Sequence, residues 1–262
     1  MSLSRMFPAP PPRVAPDRTA FLLDFDGTLA ELAPRPEEAR LAPPVVALLR
    51  GLHARADGAL ALISGRPIAE LDARTAPLHL PAAGQHGAER RAADGRLHEG
   101  EVAAADLEVI VAALGALAER HPALLLERKR HGAALHYRGV PGLEAELRGA
   151  VAGLLAGLGG RFVAQPGKMV IEVRPACADK GRAVRAFMAE APFRGRQPLF
   201  AGDDVTDEDG FAAVNALAGI SVKIGEGATA ARYRLPDVPS FVAWLGGLDG
   251  LDGLSAGAGV GP

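Results

Sequence analysis

Residues 24–28 of this 262-residue chain read Asp-Phe-Asp-Gly-Thr and follow a short apolar run. Asp24 and Asp26 stand two positions apart, so both carboxylates can project into one crevice beyond that run. Two acids this close repel each other unless a cation or a shared proton intervenes. Gly27 allows the chain to turn tightly there. One aspartate could merely end a strand in a turn, but two after an apolar strand indicate a chemical site.

A second acidic group lies at residues 202–209, which read Gly-Asp-Asp-Val-Thr-Asp-Glu-Asp. Its side chains offer oxygen ligands only, which suits Mg²⁺, a cation held by one or two carboxylates with water and substrate phosphate. Thr206 and the acids after it are also typical of a helix N-terminus. We therefore assign Asp203 and Asp204 to a metal site and the later acids to the helix start.

Two further segments have features of an anion site. Residues 64–67 read Ser-Gly-Arg-Pro, and a hydroxyl with free backbone N–H groups at a helix start can hold an anion. Ser64 could instead cap the helix, and that alternative stays open here. Lys180 begins another helical stretch, although cations favour helix C-termini. An anionic partner would explain its position.

The elements that must position these groups alternate between short apolar runs and helical patterns. Apolar runs occupy residues 20–23, 59–63, 199–201 and 220–224, and the first three end at groups described above. Runs that are apolar on both faces are typical of a buried parallel sheet with helices on both sides. Ligands of such sheets bind beyond the carboxyl ends of the strands. The sequence therefore predicts an α/β fold with its site at that edge.

The segment 102–177 has a different pattern. Two helical stretches, 103–120 and 142–158, are each followed by two strand-like runs. This αββαββ order predicts a smaller α/β unit inserted into the larger one. The strand-like runs cover residues 124–130, 132–138, 161–165 and 168–173. The predicted domains are a core at 17–101 and 178–245, a cap at 102–177, a proline-rich arm at 1–16 and a flexible glycine-rich tail at 246–262.

Composition excludes several classes of protein. Hydrophobic residues make up 48% of the chain and charged residues 23%, as in soluble globular enzymes. The net charge of −2 implies no general affinity for nucleic acid or for an anionic membrane. A single cysteine, Cys177, excludes a disulfide framework and a thiolate zinc cluster. No run is long enough to span a bilayer and no secretory signal is found, so we expect a cytoplasmic protein.

The order and spacing of these groups over residues 21–244 resemble the haloacid dehalogenase superfamily of phosphatases. This resemblance implies a Rossmannoid core with an inserted α/β cap. It also implies that Asp24 is the nucleophile and Asp26 the general acid/base. The groups that would hold Mg²⁺ are the Asp24 and Asp203 side chains, the Asp26 carbonyl and, by our own assignment, Asp204. The residues that would bind the phosphoryl group are Ser64, Gly65 and Lys180.

Four segments resemble trehalose-6-phosphate phosphatases in particular. They are GQHGAERR at 84–91, ERKRHGAALHYR at 127–138, PGKMVIEVRP at 166–175 and GDDVTDEDGF at 202–211. The inserted unit then corresponds to that family's C2-type cap. The activity implied is Mg²⁺-dependent hydrolysis of trehalose 6-phosphate through an aspartyl-phosphate. The residues expected to bind the substrate are Glu127, Lys129, Arg138, Lys168 and Glu172 in the cap, together with Arg66 in the core.

Side chains that alternate along the predicted cap strands would form one charged face. In the last strand Glu172 and Arg174 share a face with Lys168. Met169, Ile171 and Val173 share the opposite face. Alternation alone leaves open whether the charged face is solvated or binds a ligand. The family resemblance favours the ligand.

Other functions stay open on the sequence. A phosphatase acting on sucrose phosphate or mannosyl-3-phosphoglycerate would have similar core motifs, and a phosphosugar mutase could use a similar scaffold. A non-catalytic sugar-phosphate sensor would have lost a catalytic group, but all those assigned above are present. The resemblance also suggests a functional link to a trehalose-6-phosphate synthase. Only four of the 29 basic residues are lysine, and Lys223 is the one lysine without an assigned role. His86 also has no assigned role.

Overall fold

The computed structural model of this chain describes residues 9–33, 38–99, 104–167, 169–176 and 178–248. The predictions for Lys168, for Cys177, for the first eight residues and for the tail beyond residue 248 lie outside this set. Within the described ranges, no helix combines the length and the apolar character needed to cross a membrane. The chain divides into two compact units, of which one is Glu99–Ala178 and the other is the chain before and after it.

The described residues form twelve strands and seven helices. The strands are β1 (Thr19–Leu23), β2 (Leu60–Ile63), β3 (Ala82–Gly84), β4 (Glu89–Arg91), β5 (Leu97–Glu99), β6 (Leu125–Arg128), β7 (Ala133–His136), β8 (Phe162–Gly167), β9 (Val170–Pro175), β10 (Gln197–Gly202), β11 (Ile220–Ile224) and β12 (Tyr233–Leu235). The helices are α1 (Pro43–Arg55), α2 (Ile68–Thr75), α3 (Ala104–Arg120), α4 (Glu144–Ala156), α5 (Lys180–Met188), α6 (Glu208–Ala216) and α7 (Val238–Gly246).

The larger unit contains an eight-stranded sheet with the order β12-β11-β10-β1-β2-β3-β4-β5. Neighbouring strands from β12 through β3 run parallel, and β4 runs antiparallel to β3. Every residue of β1, β2 and β11 is buried, and β10 is exposed only at Gln197. Strands covered on both faces are apolar throughout, which is why the sequence revealed these four. The predicted α/β fold class is confirmed.

The carboxyl ends of three central strands lie side by side. Leu23, the last residue of β1, pairs with Ala201 of β10 and with Leu62 of β2. The residues that follow these strands therefore begin at one edge of the sheet. That edge is where a doubly wound sheet places its ligands.

The smaller unit has the element order α3-β6-β7-α4-β8-β9. Its strands form an antiparallel sheet with the order β6-β7-β9-β8. One sheet face packs on the two helices, where Leu135 and Ile171 join Ile110 of α3 and Leu147 of α4 in one apolar cluster. In β9 the residues alternate between partly exposed and buried, which leaves Glu172 on the face away from this cluster.

Two details of the predicted cap strands and helices need correction. Met169 does not share the apolar face of β9, because the strand begins at Val170 and Met169 has a left-handed backbone (φ +63°) and is 39% exposed. The helical stretch predicted to start at residue 142 is a 3₁₀ turn, Pro141–Leu143, followed by α4. The proline fixes the backbone of that turn but cannot donate a helical hydrogen bond.

Four short strands, β3, β4, β5 and β12, are not predicted by the sequence pattern. Each has three residues, and β3 reads Ala-Ala-Gly, which carries little strand preference. A run of three residues is too short to show a periodic pattern. These strands are specified by their neighbours in the sheet.

Candidate active site

The site begins where β1 ends. Asp24 follows Leu23 directly, and its side chain is 5% exposed. Its Oδ1 accepts a hydrogen bond from the Lys180 ammonium at 2.8 Å, and its Oδ2 accepts one from the Thr28 hydroxyl at 3.3 Å. The tight turn after this residue therefore returns a donor to the carboxylate. Asp24 is held in one orientation by a charged and a neutral donor.

Lys180 is the first residue of α5, and its side chain is 3% exposed. It donates to Asp207 Oδ1 at 2.6 Å as well as to Asp24. Asp179 caps the helix by accepting the Arg182 N–H at 2.6 Å. A cation at a helix N-terminus opposes the helix dipole, and the two carboxylates offset that cost.

Asp207 is the site residue that the sequence analysis missed. It is fully buried, and its Oδ2 accepts the backbone N–H groups of Asp203 and Asp204, both at 2.9 Å. Both of its oxygens are therefore engaged, one by Lys180 and one by these amides. The one related feature in the sequence is Gly202. A Cβ at that position would collide with the Asp207 side chain, so the glycine leaves room for it.

The carboxylate that lies close to that of Asp203 belongs to Asp207 and not to Asp204. Asp204 is exposed, and its side chain accepts the Val205 N–H at 2.7 Å, which caps the short 3₁₀ turn Val205–Asp207. The predicted helix-start acids, Glu208 and Asp209, do lie in the first turn of α6. The metal assignment of Asp204 has no support in this geometry, since its side chain is held in the cap.

Asp24, Asp203 and Asp207 present carboxylate oxygens that all lie within 4.8 Å of one another. Burial, opposed by the charge of Lys180, raises the pKa of Asp24 well above its ordinary value. Burial and the charge of Asp207 raise the pKa of Asp203 to about 7. Burial disfavours the charged form of Lys180, but Asp207 and Asp24 outweigh it and raise the pKa of that ammonium. One ammonium faces three acids, so the cluster favours an additional proton or cation.

Two contacts hold Asp203 in place. Gly27 has a φ of +72°, and a Cβ there would collide with the Asp203 carboxylate, so the turn must be made by glycine. Lys223 of β11 is 4% exposed and donates to the Asp203 carbonyl and, at 3.2 Å, to the Ile224 carbonyl. The lysine left unassigned by sequence therefore supports the backbone of this acid.

Arg66 contacts Asp26, although the sequence analysis assigned it to the substrate. Its Nε and one terminal nitrogen donate to the two Asp26 oxygens, each at 2.6 Å. The other terminal nitrogen donates to Glu70 at 3.1 Å, and the guanidinium lies 5.6 Å from the centre of the Phe25 ring. This bidentate pair fixes the orientation of Asp26. Substrate binding by Arg66 would require an exchange of partner.

Ser64 and Gly65 lie in the turn after β2. Ser64 is 1% exposed, and its hydroxyl oxygen accepts the Arg66 N–H at 3.2 Å. The helix α2 begins at Ile68, with Pro67 at the capping position. Ser64 is therefore not the helix cap, which was the alternative to an anion-binding role. The turn lies beyond the same sheet edge as Asp24.

In the smaller unit, an ion pair and a histidine–glutamate contact lie on the sheet face that is turned away from the helices. Lys129 donates to Glu172 at 2.8 Å, and His136 lies 3.0 Å from Glu127. The second pair is open to solvent, with Glu127 50% exposed. Arg138 is also exposed. This face groups Glu127, Lys129 and Glu172, three of the residues expected to bind the substrate.

Comparison with known proteins identifies the family. The family described as trehalose-phosphatase matches residues 22–239 of this chain. The chain belongs to the trehalose-phosphatase family. The matched range includes every site residue described above in both units.

Individual members of the family are closely similar. The chain is 45% identical to trehalose-6-phosphate phosphatase of Escherichia coli (strain K12) over 226 residues, which are 86% of this chain and 85% of that protein. A solved structure of a trehalose-6-phosphate phosphatase related protein is 28% identical with a TM-score of 0.69, covering 86% of this chain and 94% of the other. Members of this family are phosphoric monoester hydrolases, and this chain is an enzyme of that class.

The family's wider fold is also recognisable. A haloacid dehalogenase-like hydrolase from Bacteroides thetaiotaomicron is 15% identical with a TM-score of 0.62, covering 87% of this chain and 98% of the other. At that identity the likeness concerns the fold alone. The likeness is consistent with a haloacid dehalogenase-like fold for this chain.

Proposed function

We propose that this chain hydrolyses trehalose 6-phosphate to trehalose and phosphate, the last step of trehalose biosynthesis. The observation that carries the proposal is the cluster of buried Asp24, Lys180 and Asp207 with half-buried Asp203 beyond the carboxyl ends of the central strands. The relative with 45% identity is itself named for this substrate. The cluster supports phosphate-ester hydrolysis as the reaction, and the similarity to the family supports trehalose 6-phosphate as the substrate.

Asp24 is the nucleophile in this proposal. Its carboxylate oxygen attacks phosphorus in line, the bond between phosphorus and the sugar oxygen breaks, and an aspartyl-phosphate forms. Lys180, already 2.8 Å from Asp24, neutralises charge where the dianion approaches. Asp207 orients that ammonium through its own 2.6 Å contact. Ser64 and the Gly65 amide are assigned to the remaining phosphoryl oxygens.

Asp26 is the general acid and base. It gives a proton to the departing sugar oxygen and then takes one from the water that hydrolyses the aspartyl-phosphate. The bidentate contact with Arg66 sets the position of Asp26. Donation in the first step requires the contact to loosen when the substrate binds.

The acidic cluster fits Mg²⁺. Its ligand atoms are all oxygen, and three acids around one ammonium leave a surplus of negative charge. Asp207 has both oxygens engaged, whereas the Asp203 carboxylate accepts no hydrogen bond within the described residues. We assign Asp24, Asp203 and the Asp26 carbonyl as ligands and remove Asp204 from that set. When bound, the ion would stabilise negative charge on the phosphoryl oxygens.

The charged face of the smaller unit is proposed to bind the disaccharide. Glu127 and Glu172 offer acceptors, and Lys129 and Arg138 offer donors, which a polyol needs together. Lys168 is assigned here from the family resemblance. A site built to hydrogen-bond hydroxyl groups rejects ligands that lack them by up to ~10⁴–10⁵. Choice among sugar phosphates is therefore assigned to this face, and a synthase that makes the substrate is the proposed functional partner.

A panel of phosphate esters tests the proposal. Phosphate release is measured with trehalose 6-phosphate, sucrose phosphate, mannosyl-3-phosphoglycerate and glucose 6-phosphate, each with Mg²⁺ or with EDTA. We expect the highest kcat/KM for trehalose 6-phosphate and no release in EDTA. A higher kcat/KM for another ester would reassign the substrate. Tight binding without release from any ester would support the sensor.

A further inference from the structure

The hairpin between β3 and β4 has a strained backbone. Gln85, His86 and Gly87 have φ angles of +48°, +59° and +104°, all in the left-handed region. Residues with a side chain occupy that region at a steric cost that glycine does not incur. An Asn-Gly pair would form a tight hairpin turn more easily. The turn itself therefore does not explain why glutamine and histidine stand at positions 85 and 86.

The strained residues contact the turn that is assigned to phosphate. The His86 N–H donates to the Ser64 carbonyl at 2.9 Å, and the Gln85 N–H donates to the Arg66 carbonyl at 3.0 Å. The His86 ring lies directly against Gly65, where a Cβ would come within 2.8 Å of ring atoms Cε1 and Nε2. His86 is 8% exposed. The ring therefore packs directly against the Gly65 backbone.

The same hairpin is connected to two helix starts. Gly87 lies against the first turn of α5, since a Cβ there would be 3.1 Å from the Asp179 carbonyl. Glu89, the first residue of β4, accepts the Ile68 N–H at the start of α2 at 2.7 Å. One short segment thus touches both the Ser64 turn and the helix that begins with Lys180.

We propose that His86 is a positioning residue for phosphoryl transfer, whose ring fixes the Gly65 peptide so that Ser64 and Gly65 can bind the transferring phosphoryl group. This inference rests on the proposed function. The left-handed backbone at position 86 is what places the ring over Gly65. Because the ring acts through Gly65, its loss affects the phosphoryl group and leaves sugar binding by the smaller unit unchanged.

Two variants separate the ring from the backbone. His86→Gly removes the ring and relieves the strain, and His86→Asn shortens the side chain in a residue type that tolerates left-handed backbone. Ala218→Gly is the matched control, because Ala218 is exposed and has a φ of +55° outside the site. The melting temperature, kcat, KM for trehalose 6-phosphate and the inhibition constant of orthovanadate are measured for each.

A misplaced binding turn lowers rate by on the order of 10²-fold, so we expect kcat of both His86 variants to fall about 10- to 100-fold. The orthovanadate constant should rise by a similar factor, with KM within about 3-fold and the melting temperature unchanged or higher, in line with relief of strain. Ala218→Gly should match the wild type in kcat and in inhibition.

Wild-type kcat and orthovanadate inhibition in His86→Gly would overturn the inference, as would a loss confined to the melting temperature. If His86→Gly does not fold, His86→Asn gives the same decision. A wild-type protein that releases no phosphate from trehalose 6-phosphate would contradict the proposed function instead. Orthovanadate binding to the wild type and variants would still test His86 in that case.

Discussion

The acids of the Asp24 cluster and the most open acid of the smaller unit, Glu127, are similar in type but differ in exposure. The Asp24, Lys180 and Asp207 side chains are 5%, 3% and 0% exposed and contact one another. In the Glu127–His136 pair the side chains are 50% and 37% exposed. Buried charges need fixed, satisfied partners, which suits groups that act on one phosphorus atom. Exposed pairs exchange partners at little cost, which suits recognition of hydroxyl groups.

On the proposed function, chemistry and recognition are carried by separate parts of this chain. Changes in the buried cluster should remove turnover for every substrate. Changes on the open face should alter only the preference for the sugar. The predictions below test this separation, beginning with the largest effect.

Asp24→Asn should abolish turnover. Removal of a nucleophile that acts within a catalytic set lowers kcat by on the order of 10⁴–10⁶-fold, for trehalose 6-phosphate and p-nitrophenyl phosphate alike. Asparagine keeps an oxygen that can accept the Lys180 hydrogen bond, so the variant should still fold and bind substrate. Kinetics and thermal unfolding check both expectations.

The control for Asp24→Asn is Asp17→Asn, which changes an exposed aspartate of the same unit. It should leave both kcat values within about 2-fold, as expected of a surface change. Substantial activity in Asp24→Asn would show that another group is the nucleophile.

Asp207→Asn should cost less in rate but more in stability. Lys180 loses a charged acceptor, and loss of such transition-state stabilisation lowers kcat by on the order of 10²–10³-fold. Breaking a buried pair is destabilising by about 3–5 kcal/mol, so the melting temperature should fall. Wild-type stability in this variant would mean that Asp207 does not organise the buried cluster.

Glu127→Ala should distinguish the roles of the two units most clearly. We expect kcat/KM for trehalose 6-phosphate to fall about 10- to 100-fold, as for loss of a charged hydrogen-bonding group, and that for p-nitrophenyl phosphate to change little. Glu108→Ala is the matched control, since Glu108 is an exposed acid of α3 that pairs with Arg128. Equal losses on both substrates would contradict a sugar-binding role for Glu127.

The smallest expected effect is a pH dependence of stability in EDTA. The pKa of Asp203 is about 7 in the folded protein and near its ordinary value of ~4 when unfolded, so the folded state retains a proton between these values. The contribution of protonated Asp203 to the free energy of unfolding is therefore fully present below about pH 4, and it is lost as the pH rises through about 7.

Thermal unfolding in EDTA checks this expectation. The melting temperature should fall by a few degrees, ~2–4 °C per kcal/mol lost, between pH 5 and pH 8. Asp203→Asn should remove this part of the dependence, whereas Asp17→Asn should retain it. An unchanged pH profile in Asp203→Asn would place the titrating group elsewhere.

The sequence was sufficient for the central fold and for part of the site. Four apolar runs located β1, β2, β10 and β11, and the acids and the lysine next to such strands or helices proved to share one edge. These features are local, because each depends on a strand and the residue that follows it. The resemblance to a known family added the identity of the inserted unit.

The remaining features depend on contacts between distant segments. Asp207 resembles an ordinary helix-start acid until Lys180, 27 residues away, is placed beside it. Arg66 meets Asp26 across 40 residues, and no spacing rule predicts that pair. The left-handed backbone of His86 is equally invisible, since histidine carries no turn signal of the strength of glycine.

Trapping the phosphoryl group tests the central claim most directly. The protein is mixed with excess trehalose 6-phosphate and Mg²⁺, quenched within milliseconds and reduced with borohydride, which converts an aspartyl-phosphate to homoserine. Peptide mass spectrometry then locates the modified residue. The account predicts homoserine at position 24 in the wild type, and none without substrate or in Asp24→Asn. Modification at position 26, or a burst of trehalose release with Asp24 unmodified, would contradict it.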